Sequence, residues 1–221
     1  MAIRWHCLES NPEVMTEYIH SLGASKDWGL VDVYSLDDES LAHIPQPVEA
    51  LLLLFPVGNG VSASGGGKKV EASKAQVFFM KQTIQNSCRT IGLLHSLANS
   101  KIPLTEGSHL DVFLKAAQGK SPEEKAELLE KSNDIQKIHE SFAHQGQTAA
   151  PNLEDQHDLH CVAIVLADGH IIELDGRKSG PIQYGPSTEQ TFLKDAATVC
   201  KQYIESAPGN INFSLVALVK Q

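Results

Sequence analysis

The sequence predicts an α+β fold in which helices cover an antiparallel or mixed sheet. Three observations predict it. Strand-like and helix-like segments interleave along the chain. Asp168-Gly169 lies between two apolar runs and marks a tight hairpin turn. The run Ala50 to Phe55 is too short to cross a bilayer and is stopped by Pro56, so it reads as a buried strand. With 221 residues and no long polar or Pro/Gly tract dividing them, the expectation is one domain, 1–221.

The elements follow in order. Ser10 with Glu13 reads as a capping box opening a first helix, with Pro12 in its first turn, a buried stripe of Val14, Tyr18, Ile19 and Leu22, and a stop at Gly23. Gly29 to Tyr34 alternates as a strand, which turns Asp32 away from Val31 and Val33 and toward solvent. A short acidic helix, Asp37 to Ala42, leads into the strand Val48 to Phe55. Gly58 to Lys69 reads as a flexible loop. Its Gly and Lys residues lack phosphate-loop spacing, which sets nucleotide binding aside. A strand at Gln76 to Met80 delivers the chain to a helix beginning near Cys88, whose apolar face is Ile91, Leu94, Leu97 and Ala98. Amphipathic helices are expected at His109 to Gln118, Ser121 to Lys131 and Ile135 to Ala143. Gln145 to His157 has few apolar residues and no periodicity, and so long a loop reads as functional. The hairpin Leu159 to Ala167 and His170 to Leu174, a helix over Glu189 to Ile204 and a strand over Ile211 to Val219 complete the chain.

Composition excludes some function classes. Hydrophobic content of 42% and charged content of 20% suit a chain with a substantial core. A net charge of −9 disfavours nucleic acid, whose binding rests on Lys and Arg neutralising phosphates, and suits a basic partner. Cys7, Cys88, Cys161 and Cys200 have no C-x-x-C spacing, and M-A-I-R-W-H is not a basic-then-apolar leader, so a reducing, cytoplasmic setting without membrane attachment is expected. Asn212-Phe213-Ser214 fits the glycosylation pattern, which carries no weight in that setting.

The chemistry on offer centres on Cys88. A thiol at a helix N-terminus meets unpaired backbone N–H groups and the positive end of the helix dipole, which favour thiolate. A buried packing thiol is the competing reading. The hairpin folds His160 and Asp175 toward one another at its open end. If that pair lies beside the Cys88 helix, the imidazole takes the thiol proton and the carboxylate orients the imidazole. Gln82 would then donate to a developing oxyanion together with the backbone N–H of Cys88. A metal reading of Asp155, His157, Asp158 and His160 is set aside, because the two histidines lack i, i+4 spacing and no Cys pair supports them. His95 reads as a packing residue, and Cys7, Cys161 and Cys200 as structural thiols.

F-M-K-Q-T-I-Q-N-S-C-R-T-I-G-L-L-H-S-L-A-N, D-L-H-C-V-A-I-V-L-A-D-G-H-I-I-E-L-D-G-R-K and the N-terminal L-E-S-N-P-E-V resemble the ubiquitin carboxyl-terminal hydrolase family, in its short single-domain form. The likeness extends through V-D-V-Y, I-P-Q-P-V-E-A-L-L-L-L-F-P, the G-Q-T of the long loop and the closing L-K-D-A-A-T-V-C-K. It implies a papain-like cysteine peptidase with a knotted backbone, no cofactor and no metal, releasing small or flexible adducts from the C-terminal Gly of ubiquitin or a close ubiquitin-like modifier. Cys88 is implied as nucleophile, His160 as general base, Asp175 as its orienting residue and Gln82 as oxyanion donor. Asp32, Glu9, Asn11 and Gln147 are implied as ubiquitin contacts, and Gln145 to His157 as a crossover loop above the site.

One position departs from the family pattern. C-G-T is replaced by Cys88-Arg89-Thr90. An Arg there crowds the cleft where Gly admits close backbone approach, yet its guanidinium favours thiolate. The expectation is weakened turnover with ubiquitin binding kept, and the alternative function is a catalytically weakened ubiquitin-binding or ubiquitin-stabilising protein.

Overall fold

The computed structural model describes residues 3–58, 61, 67–74, 76–145 and 158–221. Among them a seven-stranded sheet runs β1-β7-β2-β4-β5-β6-β3, and each of its pairings is antiparallel. The strands are β1 (Trp28–Asp32), β2 (Val48–Pro56), β3 (Lys68–Lys69), β4 (Leu159–Ala167), β5 (His170–Leu174), β6 (Ile182–Pro186) and β7 (Ser214–Lys220). The helices are α1 (Pro12–Leu22), α2 (Asp38–Leu41), α3 (Cys88–Ala98), α4 (His109–Ala117), α5 (Pro122–Glu130), α6 (Asn133–Ala143) and α7 (Phe192–Glu205).

Both faces of the central strands are covered, which is why β2 and β4 read as continuous apolar runs rather than alternating ones. Leu52, Leu54, Ala163, Val165, Val216 and Leu218 face the side packed by α1 and α3. Leu51, Leu53, Val162, Ile164, Ala217 and Val219 face α7. Each fully buried Leu contributes about 1.5–3 kcal/mol. Gly92 lets α3 settle on β2 and β4, since a Cβ there would stand 3.0 Å from a Leu52 methyl and 3.5 Å from the Cys161 sulfur.

Several expectations need correction. The α1 cap is Asn11, not Ser10: its Oδ1 accepts from the N–H groups of Glu13 (2.9 Å) and Val14 (3.3 Å), and Pro12 occupies the first turn. The strand at Gly29 ends at Asp32, leaving Tyr34 exposed and Asp32 half-buried, with its Oδ2 accepting from the Tyr34 hydroxyl at 3.1 Å. Gln76 to Met80 is no strand. The Phe78 N–H and C=O pair with the Asn99 side chain (2.7 and 2.9 Å), and the Met80 N–H donates to His95 Nε2 (3.1 Å), so α3 side chains supply what a neighbouring strand would have supplied. β3 forms the sheet edge and pairs with β6, and neither of these short strands carries an apolar run long enough to announce itself. Gly58 to Lys69 is described only in part. Among the described residues, no helix is long and apolar enough to cross a membrane.

Candidate active site

Cys88 is the first residue of α3 and is buried. Ahead of it the chain turns tightly, with Asn86 at φ 64° and the Ser87 hydroxyl donating to Ile84 O at 2.9 Å, which leaves the helix's first N–H groups without a side-chain cap. The β4–β5 hairpin turns through Asp168 (φ 47°) and Gly169 (φ 71°), the left-handed conformations such a short turn requires. Its register pairs Ala163 with Leu174, so His160 and Asp175 approach diagonally at the open end. His160 Nε2 lies 2.7 Å from Asp175 Oδ1, and both side chains are buried. Asp175 Oδ1 also accepts from the Arg177 N–H at 2.9 Å, which fixes the carboxylate.

His160 therefore turns Nε2 to the carboxylate, while its buried Nδ1 has no hydrogen-bond partner among the described residues, and Cys88 is near enough to act on the ring electrostatically. The electrostatics of the three groups agree. Burial opposes a charged Cys88, but the His160 hydrogen bond and the Arg89 and His160 charges outweigh it and hold the thiol below its ordinary value. Burial likewise opposes a charged imidazole, and the Asp175 and Cys88 interactions override it to raise His160. Asp175 is held low against its own burial, chiefly by His160. Burial pushes the other thiols the opposite way: Cys7 up to about 11, Cys161 and Cys200 higher still. All four cysteines are free.

Gln82 stands beside the hairpin's open end. Its N–H donates to Gly176 O at 3.0 Å, and a Cβ on Gly176 would lie 2.9 Å from both Gln82 Cβ and Gln82 N. The side-chain Nε2 makes only a long bond, 3.3 Å, to Ile84 O, and its buried Oε1 has no partner among the described residues. Arg89 turns toward the N-terminal segment, where its Nη1 donates to Leu8 O. His95 is fully buried and stacks on Phe79 at 5.4 Å.

Glu9, Asn11 and Asp32 come together, lining one cleft of about 520 Å³ with Glu13 and Leu30. Asn11 is committed to capping α1. Gln147 lies outside the described residues, as do Asp155, His157 and all of the Gln145 to His157 loop except Gln145 itself. The loop re-enters the described chain at Asp158, whose carbonyl accepts from the Val57 N–H at 2.6 Å immediately ahead of β4 and His160.

The family model described as "Ubiquitin carboxyl-terminal hydrolase, family 1" matches residues 5–205. A ubiquitin carboxyl-terminal hydrolase of Drosophila melanogaster is 42% identical over 222 residues, covering 98% of this chain and 97% of its own length. Isozyme L1 of Homo sapiens is 42% identical over 220 residues, covering 96% of this chain and 97% of its own. In fold, the chain resembles the catalytic domain of Trichinella spiralis UCH37, crystallised bound to ubiquitin vinyl methyl ester, with a TM-score of 0.82 at 24% identity over 99% of this chain and 96% of that one. A near end-to-end match of this kind, in sequence and in fold, places the chain in family 1 of the ubiquitin carboxyl-terminal hydrolases, a family of cysteine peptidases.

Proposed function

We propose that the chain is a deubiquitinating thiol hydrolase that releases small or flexible amide, ester, thioester or short-peptide adducts from the C-terminal Gly of ubiquitin. The observation that carries this reading is the buried array of Cys88, His160 and Asp175, in which one thiol of four is held low and its neighbouring imidazole high. The Cys88 thiolate attacks the Gly carbonyl carbon, forming a C–S bond. The backbone N–H of Cys88 and the Gln82 amide receive the oxyanion, which easily outcompetes the long bond to Ile84 O. His160 passes its proton to the departing nitrogen, oxygen or sulfur as that bond breaks. In the second half, His160 takes a proton from water, the hydroxide attacks the thioester, and Cys88 leaves as thiolate. Asp175 orients the imidazole throughout.

The acidic cleft of Glu9, Glu13 and Asp32 supports a basic partner surface lying along α1 and β1. The described chain resumes at Asp158, at the foot of the strand carrying His160, and the limit on adduct size rests on the family likeness. Arg89 bears on the weakened-binder alternative. Its guanidinium is taken up by Leu8 O and its charge lowers the Cys88 pKa, which supports the hydrolase reading over the weakened-binder one.

Ubiquitin carrying a C-terminal electrophile should form a covalent adduct that Cys88→Ala abolishes, while the variant still binds ubiquitin and loses more than about 10³-fold in hydrolysis. Ubiquitin binding without adduct formation would instead establish the weakened-binder reading.

A further inference from the structure

We propose that His6, Glu140 and His144 form a binding site for a divalent transition cation of the zinc class, clamping the N-terminal segment onto α6. His6 Nδ1 lies 2.7 Å from Glu140 Oε2, and His144 Nε2 lies 3.9 Å from that same oxygen. The two imidazole rings are 4.7 Å apart between centroids, and the three ligand atoms all fall within 4.8 Å of one another. Glu140 in the last turn of α6 and His144 at its C-cap stand at i, i+4, so the end of one helix presents two ligands, and the N-terminal segment brings the third.

The donor set suits the ion. Two imidazoles and one carboxylate are zinc ligands, and bonds of about 2.0–2.1 Å in tetrahedral geometry separate neighbouring ligand atoms by roughly 3.3 Å. The 2.7 Å contact has to open and the 3.9 Å one to close by roughly 0.6 Å each, and the two imidazole nitrogens, within 4.8 Å of one another, have to close by up to about 1.5 Å. A cation between them takes the place of the hydrogen bond that now joins His6 and Glu140. It also draws in His144, which lies beyond hydrogen-bond distance of that oxygen. Side-chain exposures of 23%, 32% and 55% leave the site accessible while its ligands stay anchored.

The surroundings hold His6 in place. Its carbonyl accepts from His139 Nε2 at 2.8 Å, and His139 Nδ1 in turn accepts from the Thr90 hydroxyl at 2.8 Å. Trp5 packs on the His139 ring at 4.5 Å, and the Trp5 backbone N–H donates to Gln85 O at 3.1 Å. This segment, with Leu8 O receiving Arg89, borders the chain that leads into Cys88. A cation at the clamp therefore tethers the same strip of chain that flanks the thiol.

Zinc chloride titrated into the full chain carrying Cys88→Ser, which removes a competing thiolate, is expected to show one site by calorimetry. The melting temperature should rise by about 5 °C or more at roughly one hundred times the dissociation constant. His144→Ala and Glu140→Gln should each weaken binding at least about tenfold. His109→Ala, at a His–Asp pair 3.9 Å apart, should leave binding unchanged. His144 is more than half exposed at a helix end, so its variant should melt without metal as the parent does. Cobalt should give visible bands without the intense near-ultraviolet absorption of thiolate ligation. Failure to bind, binding that survives both His144→Ala and Glu140→Gln, or a thiolate-type cobalt spectrum would each overturn the site.

Discussion

Arg89 is where one side chain most directly tunes the proposed chemistry. Its guanidinium is held by Leu8 O, and its charge lowers the pKa of Cys88 and, less effectively against burial, that of Cys7. Removing it in Arg89→Gly should move the acid limb of the kcat/KM profile to higher pH and reduce the rate near neutrality severalfold, at a stability cost of about 1 kcal/mol. The sign follows from the thiolate being the active form: with a higher thiol pKa, less of it exists at a given pH. Iodoacetamide alkylation of Cys88 measured against pH reads the shift directly, and a rate that rises in the variant would mean that crowding dominates after all. Both physical effects of an Arg beside Cys88 can be read from sequence. The choice between them depends on where the guanidinium points, and the Leu8 carbonyl that receives it belongs to a segment distant in the chain.

At the scale of elements, the site depends on how closely the end of β5 approaches the chain before α3. Gly176 exists to permit that approach, since any Cβ would press on the Gln82 backbone N and Cβ at 2.9 Å and on Ile91 at 3.2 Å. Gly176→Ala should displace Gln82 and lower kcat by about 10²-fold, with a stability loss of only about 1–3 kcal/mol. Stopped-flow hydrolysis of a ubiquitin C-terminal ester with parallel urea melts would separate the two, and a loss confined to stability would deny Gln82 its proposed part. The hairpin itself is legible, because Asp168-Gly169 is a local turn signal set between two apolar runs. The segment 76–80 resembles a strand for an equally physical reason: its apolar pattern is real, but its backbone partners are the side chains of Asn99 and His95. Capping erred by a single position, since Ser10 and Asn11 are both good caps and only the backbone geometry selects between them.

For the whole molecule, the buried histidines make stability depend on acid. Burial holds His95 down to about 4, so it stays neutral in the fold while the unfolded chain protonates near its ordinary 6.5. A folded pKa below the unfolded one gives a contribution that is complete above about pH 6.5 and is lost as pH falls toward 4, amounting to about 3 kcal/mol for this residue. His139 shifts in the same direction, chiefly through burial. Urea unfolding at pH 7 and pH 4.5 should show the loss, and His95→Gln, whose amide can still accept from Met80 N–H, should show a smaller one. An equal loss in the variant would place the acid sensitivity elsewhere.

What the sequence determined by itself is what short-range chemistry encodes: the approximate course of the helices, the Asp168-Gly169 turn and its hairpin, the buried β2, the family likeness, and Cys88, His160, Asp175 and Gln82 as the residues to watch. Tertiary structure alone decided which of these meet and how. It brought Glu9, Asn11 and Asp32 to one cleft, turned Arg89 onto Leu8, and set His6 against Glu140 and His144 on α6. Such meetings join residues far apart in the chain through the packing of both sheet faces, and no local pattern of residues records the direction in which a side chain will point once that packing is complete.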